Sequence, residues 1–224
     1  MEYVKNEQRN QVQTELFRFR RVLDVIKKLK IMEPFLSRWM DLGCNNGMFL
    51  NLLVKQYPIQ TLGVDVYDPK LKGAESWEYL QKDISQDWGL DQVFDVISAM
   101  EVLEHMVDTD RFLNSVYSHL KKDGFLVLTT PNINSLRNRI TTFWGVYPVG
   151  LEYQNIIHHV RLYNLSKLKK HLKEHHFRTV YASGVSFLPL FMSQNLILNK
   201  LSILLAEWFP QLCNNLILIG QRVS

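Results

Sequence analysis

Between residues 35 and 130 the chain alternates short apolar runs with stretches of helical spacing, and this rhythm is the strongest constraint on its fold. The runs fall at 35–42, 61–66, 78–80, 94–99 and 124–130, with helical patterns at about 47–57, 108–121 and 134–143. Strands that alternate with helices form right-handed crossovers, so the expected class is α/β, with a mostly parallel sheet and helices on both faces. Ahead of this region, Val12, Leu16, Phe17, Val22, Leu23, Val25, Ile26 and Leu29 lie at helical spacing among Arg and Lys, and Pro34 marks the end. After Pro131 the rhythm loosens. An aromatic stretch from Phe143 to Tyr153 leads to a double histidine, then to the helical segment LSKLKKHLKEHH with Ser166 as its expected cap, and two last runs at 178–184 and 215–222 read as strands. The expected organisation is one domain over residues 1–224, with an N-terminal helix within 1–34 and lid or cap segments at 134–160 and 187–212.

Composition narrows the functional classes. A net charge of +4 over 224 residues suits an anionic cofactor but is too weak and dispersed to argue for nucleic acid. Only Arg137, Arg139 and Arg161 gather near the motifs described next. Cys44 and Cys213 stand far apart and form neither a disulfide framework nor a zinc-finger spacing, which points to a reducing, cytoplasmic setting. The opening MEYVKNEQRNQVQTE lacks the apolar core of a signal peptide. The most apolar region, 187–209, is broken by Pro189, Gln194, Asn195, Asn199, Lys200 and Glu207, so no transmembrane segment is expected there. The run 188–212 reads first as a cap helix over the sheet, then as a homodimer surface, then as a patch for a lipid-linked acceptor with peripheral membrane contact.

In an open α/β sheet, ligands bind beyond the carboxyl ends of the strands. Three features fall at such ends. Asp41-Leu42-Gly43-Cys44-Asn45-Asn46-Gly47 runs from the first strand into a helix, where glycines admit close backbone approach and the helix N-terminus offers free N–H groups. Asp65 ends the second strand, where a carboxylate can accept from both hydroxyls of a ribose. Lys82-Asp83-Ile84 follows the third run, and Asp83 reads equally as an adenine partner or a helix cap. The order DLGCNNG, GVD, KDI, FDVISAMEVLEH and LKKDGFLVLTTPN resembles the class I S-adenosylmethionine (AdoMet)-dependent methyltransferases over roughly residues 20 to 180. The resemblance implies a Rossmann-like fold with a seven-stranded sheet and AdoMet as cofactor. It implies that Asp41, Gly43, Cys44 and Gly47 surround the methionine part, that Asp65 and Val66 meet the ribose, that Asp83 and Ile84 flank the adenine, and that Met100 closes the site. The family usually has glycine at the position of Asn45, a residue that tolerates left-handed backbone. An NAD-binding reading is weaker because the turn lacks the G-x-G-x-x-G spacing.

Glu101-Val102-Leu103-Glu104-His105 follows the fourth strand. If a helical turn starts here, Glu101, Glu104 and His105 share one face and can hold a divalent cation. The simpler reading has Glu104 and His105 packing and hydrogen-bonding beneath the cofactor. Downstream lies Ile157-His158-His159-Val160-Arg161-Leu162-Tyr163. A histidine there is similar to the ubiquinone-biosynthesis type of O-methyltransferase, and also to small-RNA 3′-terminal ribose 2′-O-methyltransferases. The latter resemblance implies a metal site at Glu101, Glu104, His105 and His159, holding Mg²⁺ or another divalent cation. Adjacent residues of an extended segment point opposite ways, so one of the two histidines faces the site, and His159 is favoured over His158. The expected function is methyl transfer to a small-molecule acceptor, on a hydroxyl oxygen, with His159, Glu104 and His105 as catalytic groups. The alternatives are an RNA ribose 2′-O-methyltransferase and a non-catalytic AdoMet-fold binding module. Asn132, after the fifth strand, reads as a substrate contact or as a turn-stabilising residue, and Phe143, Trp144, Tyr147 and Tyr153 as an acceptor pocket or as core.

Overall fold

The computed structural model describes residues 2–31, 38–67, 76–148, 159–187 and 196–223. Helix α1 (Glu2–Lys28) leads into strand β1 (Arg38–Leu42), helix α2 (Met48–Gln56), strand β2 (Gln60–Asp65), strand β3 (Glu78–Gln81) and strand β4 (Phe94–Met100). A 3-10 turn (Leu103–His105) follows, then α3 (Thr109–His119), β5 (Leu120–Pro131), α4 (Leu136–Phe143), α5 (Leu165–Glu174), β6 (Phe177–Gly184), α6 (Leu196–Trp208), a second 3-10 turn (Pro210–Leu212) and β7 (Asn215–Arg222).

The strands form one seven-stranded sheet in the order β3-β2-β1-β4-β5-β7-β6. β1 pairs in parallel with both β2 and β4, β2 with β3, and β4 with β5. β7 enters antiparallel between β5 and β6, so the sheet is mixed rather than purely parallel. The order reverses on either side of β1 and β4, which makes the carboxyl ends of these two strands the crevice of the fold.

Period-two alternation along the central strands explains the layering. Met40 and Leu42, Ile97 and Ala99, Leu126 and Leu128, and Leu216 and Leu218 face α3 and α5 through Leu113, Val116, Leu168 and Leu172. Trp39, Val96, Val127, Ile217 and Ile219 face the other way, onto Val22 and Ile26 of α1 and Phe49, Leu50 and Leu53 of α2. Every residue of β4 is buried, as expected of a strand covered on both faces.

Two sequence expectations shift. The helix at 165–174 is capped by Asn164, whose side chain accepts from the Lys167 N–H at 2.8 Å, so Ser166 lies inside the helix. The turn after β4 begins at Leu103, not Glu101. Glu101 itself takes a left-handed backbone (φ 56°), so it leaves the face shared by Glu104 and His105. Tyr153 and His158 lie outside the described residues, as do the middle of the expected lid and the start of the expected cap.

Candidate active site

The turn after β1 is built for close approach. Gly43 (φ 68°) donates its N–H to the Val64 carbonyl at 2.8 Å, and a Cβ here would sit 2.6 Å from Val102 Cγ2. The loop after β4 therefore lies directly against the loop after β1. Gly47 (φ 71°) opens α2, and a Cβ on it would fall 2.2 Å from the Trp77 ring. Asn45 holds φ 48°, a left-handed conformation that its side chain tolerates.

Asp65 joins the two halves of this crevice. One carboxylate oxygen accepts from the Asn45 N–H at 2.8 Å and the other from the Tyr67 N–H at 3.1 Å. Asp41 is buried one strand over, where Ser98 Oγ donates to it at 2.5 Å while Ser98 itself accepts from the Trp39 indole N–H at 2.8 Å. Burial raises the Asp41 carboxyl from the ordinary 3.8 to about 7; the Ser98 bond lowers it and the charge of Asp65 raises it. Cys44 is buried, and burial followed by the Asp41 and Asp65 charges pushes its thiol far up, so it is no nucleophile. Ile84 and Met100 are buried, while Val66 is exposed. Asp83 closes a local turn: its carboxylate accepts from the Ser85 N–H at 2.9 Å, and its bonds with Ser85 lower its pKa.

The chemical groups assemble at the end of β4. Glu104 is 2% exposed, with Oε2 accepting from the Thr130 hydroxyl at 3.0 Å. Its backbone carbonyl accepts from the Arg161 N–H at 3.0 Å, which lays the segment 159–163 alongside the 3-10 turn. The same segment is fastened again where Tyr163 pairs with Asn132 and its carbonyl accepts from the Ile133 N–H. His159 is thereby set against His105, their ring centroids 4.9 Å apart. One donor atom each from Glu104, His105 and His159 lie within 4.8 Å of one another. Glu104 Oε1 is buried with no hydrogen-bond partner among the described residues. Desolvation, then the nearby Glu101, holds the Glu104 carboxyl well above the carboxylate range.

Glu101 does not join this trio. Its Oε2 accepts from the Asn215 amide at 2.9 Å and pairs with Arg18 of α1 at 3.4 Å. Asn132 is turned to structure: its amide donates to the carbonyls of Gln211 and Cys213, tying β5 to the turn before β7. Phe143, Trp144 and Tyr147 are 81%, 75% and 73% exposed, so they are not core. Sequence reasoning passed over Trp77, Ser98, Thr130 and Arg18. Only Ser98 carried a signal, as a hydroxyl inside an otherwise buried strand.

The methyltransferase domain family matches residues 12–182 of this chain. A ubiquinone biosynthesis O-methyltransferase of Bartonella bacilliformis is 24% identical over 179 residues, which cover 73% of this chain and 69% of that protein. The chain spans less of two proteins with the same name, 47% of that from Bartonella quintana and 39% of that from Rickettsia conorii. Among solved structures, an S-adenosylmethionine-dependent methyltransferase from Clostridium acetobutylicum aligns with a TM-score of 0.63 at 14% identity, covering 98% of this chain and 99% of that one. The cyclase SpnF aligns with a TM-score of 0.62 at 18% identity, covering 92% and 82%. Likeness at such identities shows the fold, and a fold hosts more than one reaction. The family match does not rest on fold alone: the chain belongs to the methyltransferase-domain family of S-adenosylmethionine-dependent enzymes.

Proposed function

We propose that the chain transfers the methyl group of AdoMet to a hydroxyl oxygen of a small molecule, with the cofactor along the β1 and β2 ends and the acceptor above the end of β4. The observation that carries this reading is the convergence of Glu104, His105 and His159 one loop away from the glycine turn, with Val102 bridging the two. On the cofactor side, Gly43 and Gly47 keep the floor of the turn free of side chains, and Asp65 offers its carboxylate to the ribose. Asp41 and Cys44 line the methionine end, while Asp83, Ile84, Val66 and Met100 surround the nucleoside. The sulfonium of AdoMet supplies an electrophilic methyl when bound.

The protein's remaining tasks are to place a hydroxyl in line with that methyl and to take its proton. His159 is the base in this reading, because imidazole titrates near neutrality and its segment is held by backbone bonds on both sides of the site. Glu104, in the same cluster, steadies the imidazolium that forms once its own carboxyl, held high by burial and by Glu101, is ionised. The same three side chains fit a divalent cation, since one carboxylate and two imidazoles are a suitable donor set and Glu104 Oε1 is buried without a partner. Such a cation, when held by Glu104, His105 and His159, lowers the pKa of a bound hydroxyl. The exposed Phe143, Trp144 and Tyr147 beyond β5 suit a lid over an aromatic or apolar acceptor, in keeping with the names of the curated relatives. Lid and site belong to one domain.

The test is His159→Ala assayed with AdoMet and a catechol acceptor, before and after chelation. Turnover should fall at least 100-fold while AdoMet affinity by calorimetry stays within about threefold. Retained turnover removes His159 from the chemistry, and indifference to chelator with Mg²⁺ or Mn²⁺ add-back removes the cation.

A further inference from the structure

His171 and His175 stand one helical turn apart at the C-terminal end of α5, so both project from the same face. Their rings lie 5.1 Å apart. Both Nε2 atoms point at a single oxygen, Asp110 Oδ1 of α3, at 2.8 and 3.0 Å. The opposite ring nitrogens are also held: His171 Nδ1 lies 3.1 Å from the Tyr163 hydroxyl, and His175 Nδ1 lies 2.9 Å from Asn114 Oδ1. Imidazoles that ligate metals are oriented in this way, with the far nitrogen fixed by a hydroxyl, carbonyl or carboxylate.

His171 Nε2, His175 Nε2 and Asp110 Oδ1 thus converge on one point at the seam between α3 and α5. The three donor atoms lie within 4.8 Å of one another, and two imidazole nitrogens with one carboxylate oxygen match the preferences of zinc. Ligands around tetrahedral zinc sit about 3.3 Å apart, so the present spacing needs to open by a few tenths of an ångström. The Asp110 side chain, 73% exposed, has room to do so. It also lines an open groove with Asp108, Arg111, Asn114, Ser115 and Ser118, which gives an ion a path from solvent.

We propose that Asp110, His171 and His175 form a zinc site, separate from Glu104, His105 and His159, that fastens α3 to α5. Water completes the coordination on the exposed side. Tyr163, bonded to His171, belongs to the segment that carries His159, so the ion braces that segment from behind.

The experiment titrates zinc chloride into the His159→Ala protein, in which the other cluster has lost a ligand, and reads binding by calorimetry and thermal unfolding. One zinc per chain should bind, raising the melting temperature by roughly 5–10 °C at a hundredfold excess over Kd. Adding His175→Ala to that background should weaken binding at least tenfold. Adding Asp110→Asn, whose exposed side chain leaves the fold unthreatened, should do the same. Equal melting temperatures in EDTA identify a loss of zinc as a loss of ligand. If His159→Ala binds no zinc, or if Asp110→Asn leaves binding unchanged, the site does not exist and the three side chains are simply a hydrogen-bonded cluster.

Discussion

Asp41 is the group whose replacement tests the electrostatics of the proposed cofactor crevice most directly. Its carboxyl is buried between β2 and β4 and rises from 3.8 to about 7, chiefly through desolvation. The native state thus holds this proton more tightly than the unfolded chain. The associated stability is present in full below pH 3.8, drains as pH rises to about 7, and stays lost beyond it. At about 1.4 kcal/mol per pH unit, the whole effect is about 4 kcal/mol, of which about 3 kcal/mol falls between pH 5 and 7. Asn at position 41 keeps an acceptor for the Ser98 hydroxyl but cannot ionise. Its amide N–H groups add a fixed cost of about 1–3 kcal/mol where they find no partner, and that cost does not depend on pH. The expected result therefore concerns a slope. In urea unfolding from pH 5 to pH 8, the stability of Asp41→Asn relative to the parent should rise by about 3 kcal/mol, with the rise levelling off above pH 7, while contributions from distant groups cancel in the difference. A change below about 0.5 kcal/mol, or one of opposite sign, would refute the claim that this carboxyl is held protonated by burial. In the proposed complex the cationic methionine end lies beside Asp41, so the parent should also bind AdoMet up to tenfold more tightly at pH 8 than at pH 6, and Asp41→Asn should lose that dependence.

Two further outcomes follow from the same crevice. Gly47→Ala places a Cβ 2.2 Å from the Trp77 ring at a left-handed φ of 71°; strain and overpacking together should cost about 2–4 kcal/mol, seen as a melting temperature lower by roughly 5–15 °C, and a change of less than about 2 °C would mean that Trp77 moves aside freely. Asp65→Ala removes the acceptor that joins the Asn45 and Tyr67 N–H groups, so AdoMet affinity by calorimetry should fall roughly 10- to 100-fold, and unchanged affinity would take Asp65 out of the ribose role.

The geometry of the proposed cofactor crevice was legible in the sequence because it is local. Asp41, Gly43 and Gly47 lie within one strand-to-helix turn, and Asp65 ends the next strand, so a βαβ reading alone brings them together. The glycine positions could be read because only two causes, positive φ and close approach, usually demand them, and both apply at Gly43 and Gly47. The antiparallel entry of β7 was not legible. An apolar run such as 215–222 carries no mark of its direction, which follows from where α6 and the Pro210–Leu212 turn deliver the chain. The departure of Glu101 from its neighbours was hidden for a similar reason. The spacing of Glu101, Glu104 and His105 suits a helix, but the backbone bond from the Glu101 N–H to the Thr129 carbonyl prolongs the β4–β5 pairing by one residue and leaves Glu101 in a left-handed conformation, paired with Arg18 from a helix about 80 residues away.

The Glu104–His105–His159 cluster, proposed to serve the acceptor, depends on contacts of that long-range kind, and this sets how the two halves respond to change. Nothing in the sequence around His159 says that it will meet His105. The meeting is imposed by the Arg161 N–H on the Glu104 carbonyl and by the Ile133 N–H on the Tyr163 carbonyl, two bonds that hold one short segment across the ends of β4 and β5. Backbone bonds tolerate almost any side chain, so residues 160 and 162, both exposed, can vary without moving His159. By contrast, the segment's one buried side chain, Tyr163, packs in the core on the α3 and α5 face and bonds to His171. The position of His159 is therefore set by these backbone bonds and, from behind, by Tyr163. A disturbance of the α3–α5 seam should reach acceptor turnover through this route while leaving the Asp65 and Gly43 contacts, at the β2 and β1 ends, as they are.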